Sequence, residues 1–89
     1  MLGQNYPNPF NPTTQINFSI PKTVFVSVKV YDILGREIYT LIGEKLTPGD
    51  YNVNWTSIDN NGDYVASGVY FYRLAAGDYI EAKKMILAR

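Results

Sequence analysis

Val24-Phe25-Val26-Ser27-Val28-Lys29-Val30-Tyr31 sets four valines at every second position. In an extended chain successive side chains leave on opposite faces. All four valines then share one face, and Phe25, Ser27, Lys29 and Tyr31 share the other. β-branched residues favour this pleated geometry. The stretch predicts a strand with a buried valine face.

The same period recurs on either side. Upstream, Ile16, Phe18 and Ile20 alternate with Gln15, Asn17 and Ser19, and Pro21-Lys22 ends the run. Downstream, Asp32-Ile33-Leu34-Gly35 reads as a turn, with Gly35 free to take positive φ. A strand follows over residues 37–42, its two faces mixed and its parity unassigned. Residues 43–49 read as a connection around Pro48-Gly49. Tyr51, Val53 and Trp55 alternate with Asn52 and Asn54, another half-buried strand. Residues 56–67 form the longest loop. Asn61-Gly62 within it favours a type I′ turn and a small hairpin. A strand over 69–74, a turn at Ala76-Gly77-Asp78 and a last strand over Tyr79–Leu87 complete the chain.

Six or seven short strands and no helical period predict an all-β fold, an immunoglobulin-like antiparallel β-sandwich. A sandwich suits the alternation better than a small barrel, because several strands have one wet face. The expected organisation is a single sandwich domain over residues 13–89. A Pro/Asn-rich lead segment or linker over residues 1–12 precedes it. Pro7, Pro9 and Pro12 oppose both helix and ladder pairing, so this segment reads as stiff and semi-extended. Tyr6 and Phe10 are its candidates for packing onto the body.

Composition narrows the function. The 89 residues include no cysteine and no histidine. Disulfide staples, the usual zinc, copper and iron sites, and Ser-His or Cys-His nucleophile pairs are excluded. No cofactor, no metal and no catalytic residue is expected, so the chain does not read as an enzyme. Formal net charge is zero, against the phosphate attraction a nucleic-acid binder needs and against a polybasic membrane patch. No small-molecule substrate is expected. No run approaches the ~20 apolar residues of a spanning helix. Residues 1–5 lack the basic and apolar regions of a signal peptide, and the chain reads as a fragment of a longer protein.

Four features carry a functional and a plainer reading. Ser57-x-Asp59-x-Asn61-Gly62 partly matches the start of an EF-hand loop. Ser stands at the first ligand position and Gly68 at the twelfth, where a bidentate glutamate belongs, so a plain turn is favoured. Asp59 and Asp63 as a glycosidase pair lack a cleft. Eight tyrosines and one tryptophan suit sugar stacking if they line one exposed flat face, and core packing otherwise. Lys83-Lys84 reads either as a guard on an edge strand or as a recognition element.

Several segments together resemble one known family. Asn5-Tyr6-Pro7-Asn8-Pro9-Phe10-Asn11-Pro12-Thr13-Thr14 is similar to the opening of the type A C-terminal sorting domain of the type IX secretion system. Val28-Lys29-Val30-Tyr31-Asp32-Ile33-Leu34-Gly35-Arg36-Glu37 resembles the family's second block. Ala66-Ser67-Gly68-Val69-Tyr70-Phe71-Tyr72-Arg73-Leu74 resembles its most recognisable stretch, and Lys83-Lys84-Met85-Ile86-Leu87 its ending. Pro48-Gly49, Trp55 and Asn61-Gly62 fall at its usual turn and strand positions. Thr56-Ser57 departs from it, since Asp or Asn followed by Gly is commoner there. The pattern also resembles the immunoglobulin-like domain of flagellar hook-capping proteins.

The resemblance implies a non-catalytic sorting and anchoring domain at the C-terminus of an exported cargo. It implies passage through the periplasm and then the cell surface or extracellular space. The implied partners are an outer-membrane translocon and a surface sortase that cuts near or before the Pro-rich segment. Gly68, Tyr70, Leu74, Lys83 and Lys84 are the implied recognition residues, with the edge of Tyr79–Leu87 a candidate for strand addition. An accessory carbohydrate-binding module and a structural spacer remain alternatives, and the oligomeric state stays open.

Overall fold

The computed structural model describes residues 1–89. It contains β1 Thr14–Ile20, β2 Val24–Tyr31, β3 Glu37–Leu46, β4 Gly49–Trp55, β5 Gly68–Ala76 and β6 Tyr79–Leu87. β1 and β4 form a two-stranded sheet, and a four-stranded sheet runs in the order β3-β2-β5-β6. All pairings between these six strands are antiparallel. The result is an all-β sandwich of the immunoglobulin-like kind, with six strands.

The valine face of β2 lies at its centre. Val26, Val28 and Val30 are fully buried against Ile16, Phe18 and Ile20 of the facing sheet, beside Tyr72 and Leu74 of β5 and Met85 and Leu87 of β6. Trp55 ends β4 and closes one end of this core. Phe10 lies 5.9 Å from its ring, and Tyr70 meets it edge-on at 5.4 Å. Its indole N–H donates to the Ile58 carbonyl at 2.8 Å, satisfying a donor that burial would otherwise strand.

β3 is longer than its sequence pattern predicts. The ladder with β2 continues through Ser27↔Gly43, Val26↔Glu44 and Val24↔Leu46, so the predicted connection over 43–49 shrinks to Thr47-Pro48. Two register shifts, between Val28 and Lys29 and between Val30 and Tyr31, explain the unassigned parity. Each bulge adds a residue and flips the alternation. Ile38, Tyr39, Leu41 and Ile42 are therefore all half-buried.

The loop over 56–67 holds a small hairpin, with a bridge between Ile58 and Tyr64. Its turn is not type I′, because neither Asn60 nor Asn61 has positive φ. Gly62 alone in the turn does, at 84°. The Gly62 N–H donates to the Asp59 carbonyl at 2.9 Å, a turn closed by a left-handed glycine. Ser57 also takes positive φ, 66°. This is the departure from the family pattern, where glycine is commoner. The serine is held by its hydroxyl, which donates to the Pro12 carbonyl at 2.5 Å.

The first twelve residues lie along the sandwich. The Gly3 N–H donates to the Asn17 carbonyl at 2.8 Å, and Tyr6 and Gln15 exchange two bonds of 2.9 and 2.8 Å along β1. The Phe10 N–H donates to the Ile86 carbonyl and the Ala88 N–H to the Phe10 carbonyl, both at 3.0 Å, along β6. This strap joins the two sheets along one side. Leu2, Asn5 and Phe10 are buried within it. Residues 1–6 run extended and antiparallel to β1, and the chain bends after them, where Asn5 Nδ2 and Thr14 Oγ1 both donate to the Pro7 carbonyl, at 3.1 and 2.9 Å. Of the strap's two aromatic rings, Phe10 packs and Tyr6, 77% exposed, does not.

Phe10→Ala is expected to destabilise the domain by about 3–5 kcal/mol, as truncation of a buried aromatic does. Tyr6→Ala is expected to change stability by less than about 0.5 kcal/mol. Urea unfolding of the two variants measures the contrast.

Candidate recognition surface

Two adjacent lysines in a strand point to opposite sides. β6 shows this directly: Met85 and Leu87 are buried, while Lys84 and Ile86 face outward. Lys83 takes the core-side parity at the rim, its ammonium 3.6 Å from Glu81 Oε2. Lys84 lies on the outer face of the four-stranded sheet, across from Phe71. The basic pair is therefore two separate charges.

The other candidates lie elsewhere. Leu74 is fully buried. Tyr70 is buried against Trp55, and its hydroxyl donates to the Ala66 carbonyl at 2.5 Å. Burial pushes its pKa upward. Gly68 opens β5 at φ 151°, where L side chains are rarely found, with open space where a Cβ would stand. Gly68, Tyr70 and Leu74 shape β5, Lys83 lies at the sandwich rim, and Lys84 points outward. The five do not gather at one surface. None of them lines the largest concavity, about 520 Å³, which opens between Ile20, Val24, Ala76 and Tyr79 at the far end from Trp55.

The edge of β6 is occupied over its second half. The Lys84 carbonyl accepts from Gln4 Nε2 at 2.9 Å, the Ile86 N–H donates to Asn8 Oδ1 at 3.0 Å, and the Ile86 carbonyl accepts from Phe10. A partner strand adding there would have to displace the strap. Tyr72 anchors that strap from the core. Its hydroxyl accepts from the Asn5 N–H at 2.8 Å and donates to the Gly3 carbonyl at 2.7 Å. Burial raises its pKa to about 12, against the smaller opposing effect of the Asn5 bond. Nearer the strand start, the Tyr79 hydroxyl and the Leu2 N–H both donate to Glu81 Oε1. The Tyr79 bond, then the Leu2 bond, holds the Glu81 carboxyl below its usual range.

The remaining motifs resolve as local structure. Asp59 Oδ1 accepts from the N–H groups of Asn61 and Asp63 at 2.9 and 3.0 Å, which spends it on its own turn. The exposed aromatic rings, Tyr6, Phe25, Tyr64 and Tyr79, belong to four separate segments. Tyr31, on the outer face, lies under the Arg73 guanidinium at 4.9 Å.

Residues 4–88 match the family model described as the secretion system C-terminal sorting domain. The chain belongs to this family. It is a sorting domain of type IX secretion, and such domains mark proteins exported to the cell surface or extracellular space. Members are generally non-catalytic. No curated protein matches the sequence closely enough to count as a relative. Among solved structures, it is similar to dimeric latent PorU from Porphyromonas gingivalis, with TM-score 0.76 and 21% identity over 98% of this chain. That likeness concerns the fold. It is also similar to PorZ of the same organism, described as an essential bacterial surface component of the type-IX secretion system, with TM-score 0.68 and 26% identity over 97% of this chain. The chain spans 9% of the first and 11% of the second.

The sorting domain owes its closed edge to contacts that sequence reading passes over. Asn5 and Gln4 reach partners 67 and 80 positions away, beyond any local pattern. Tyr72→Phe strands the Asn5 N–H and the Gly3 carbonyl, and is expected to destabilise by about 1–3 kcal/mol. In the unaltered domain the Tyr72 phenol is needed to donate to Gly3. Its folded pKa lies above the ordinary value of 10.0. Its stabilisation is therefore complete below that value and is lost as pH rises through about 12. Tyrosinate absorbance and Trp55 fluorescence, followed together, are expected to show a late tyrosine step, with Tyr72 ionising as the core opens. Tyr72→Phe is expected to lose one tyrosine from that late step.

Proposed function

We propose that the secretion machinery reads this domain as a folded surface rather than as a linear tail. The match over residues 4–88 carries this reading, since it takes in most of the strap and all six strands. In this reading an outer-membrane translocon binds the folded domain in the periplasm, and a surface sortase then separates it from its cargo and anchors or releases the cargo. The domain itself performs no chemistry. The strap and the sandwich act as one unit, and the cut falls on the N-terminal side of Leu2. Burial of Leu2, Asn5 and Phe10 supports that placement, because a protease needs an exposed, extended segment. Gly68, Tyr70 and Leu74 serve recognition indirectly by holding β5 in place. Lys84 contributes a contact from the outer face, and Lys83 helps set the rim.

The test is export of a fluorescent reporter carrying either the whole chain or residues 79–89 alone, in a host with a working type IX system. The whole chain is expected to take the reporter out of the cell, and residues 79–89 to leave it in the periplasm. Export by residues 79–89 would show a linear signal and overturn the folded-surface reading. Retention of the whole-chain fusion in folded form would overturn the targeting role. Lys84→Glu is expected to reduce export more than Lys83→Glu does, with unfolding midpoints unchanged in urea.

A further inference from the structure

Two loops of the domain share one backbone design. Asp32-Ile33-Leu34-Gly35-Arg36 and Asp59-Asn60-Asn61-Gly62-Asp63 each begin with an aspartate. Its N–H donates to the fifth residue's carbonyl, at 3.0 and 2.9 Å, and its own carbonyl accepts from the glycine N–H at the same two distances. Its Oδ1 accepts from the third and fifth N–H groups, at 3.0 and 2.9 Å in the first loop and 2.9 and 3.0 Å in the second. The glycines have φ 81° and 84°. The backbone is satisfied without help from the second and third side chains. In one loop those are asparagines, and Asn60 bonds to β3. In the other they are isoleucine and leucine, 72% and 74% exposed.

A single exposed aliphatic residue needs no explanation. Two at one turn tip, where a twin of the same geometry carries asparagines, are not demanded by the turn. Ile33 also has apolar neighbours. With Tyr31, Phe71, Arg73 and Ala82 it lines a shallow concavity of about 290 Å³ on the outer sheet face. Tyr31 and Phe71 are cross-strand partners, and the Val69–Ile86 pair continues the apolar run. Charge is uneven here. Asp32 is held by Arg36 at 2.8 Å and Glu37 by Lys29 at 3.2 Å. Arg73 and Lys84 have no carboxylate within 4.0 Å. On a chain of net charge zero, this face carries uncompensated cations around an apolar centre.

We propose that the Ile33-Leu34 tip and the adjoining outer face of β2, β5 and β6 dock a protein partner. That partner offers an apolar socket to the two aliphatic side chains and acidic groups to Arg73 and Lys84. An apolar, aromatic centre with charge at its rim matches the anatomy of protein interfaces. The docking surface rests on the reading that the machinery recognises the folded domain, and it names where.

The test copies one loop into the other. Ile33→Asn/Leu34→Asn reproduces the asparagine turn, so folding is expected to persist, shown by unchanged Trp55 fluorescence and urea midpoint. Reporter export is expected to fall about tenfold, as loss of two interface anchors implies. Arg73→Glu/Lys84→Glu is expected to lower it comparably. Retention of the unaltered fusion overturns the underlying reading. Export of both double variants at the unaltered level overturns the docking surface alone. A photo-crosslinking residue at position 34 in exporting cells identifies the occupant, with the same residue at position 61 as control. An adduct with an outer-membrane protein at 34 alone is expected. An adduct with a second copy of the fusion, with lipid, or equally at 61, overturns the proposal.

Discussion

Four strands facing two is the constraint on which the structure depends. The inner face of β3-β2-β5-β6 is apolar across its width, and β1-β4 alone is too narrow to cover it. Residues 2–10 supply the missing cover. They pair with β1 on one side, bond to β6 on the other, and place Leu2 and Phe10 in the core. Polar groups brought into the joint are satisfied there: Asn5, Thr14 and Tyr72 bond to one another or to the strap backbone, and no buried side-chain polar atom lacks a partner. Such satisfaction is what makes a buried polar joint tolerable.

Much of this was legible in the residues. Clean alternation located β1, β2 and β4, because a strand with one wet face writes its burial into every second residue. The valine face and Trp55 were read as core for the same reason. β3 escaped, since two bulges reset its parity and β2 pairing carried it past the expected end. The strap escaped because prolines remove ladder donors, and its bonds run instead through side chains of Asn5, Asn8 and Gln4 and through isolated backbone groups. Likewise the recognition residues were picked as a motif. A run of adjacent letters at Lys83-Lys84 concealed that a strand sends neighbours to opposite faces.

A sandwich uses one face of each sheet for its core and leaves the other to water. On the larger sheet that outer face is not blandly polar. It carries Tyr31, Phe71 and Ile86 between Lys29, Arg73 and Lys84. The sorting domain thus separates core from surface by parity along the same strands. Even positions of β2 hold the fold, and odd positions are free to meet something else. In β5 the same division puts Tyr70, Tyr72 and Leu74 inside and Phe71 and Arg73 outside. Substitutions on the inner face therefore bear on stability, whereas those on the outer face leave the core intact.

The strap-to-β6 bonds join residues nearly the whole chain length apart, from Phe10–Ile86 to Gln4–Lys84. Contacts this distant form late, after the intervening chain has paid its ordering entropy. During synthesis the strap emerges first and its partner last. The sandwich cannot close until β6 has been made, and a chain broken off earlier leaves Phe10 and Trp55 without their cover. Closure of this domain therefore requires the strap and β6 to be present together. Loss of either the strap or β6 opens the same joint, so the two ends of the fold act as one latch.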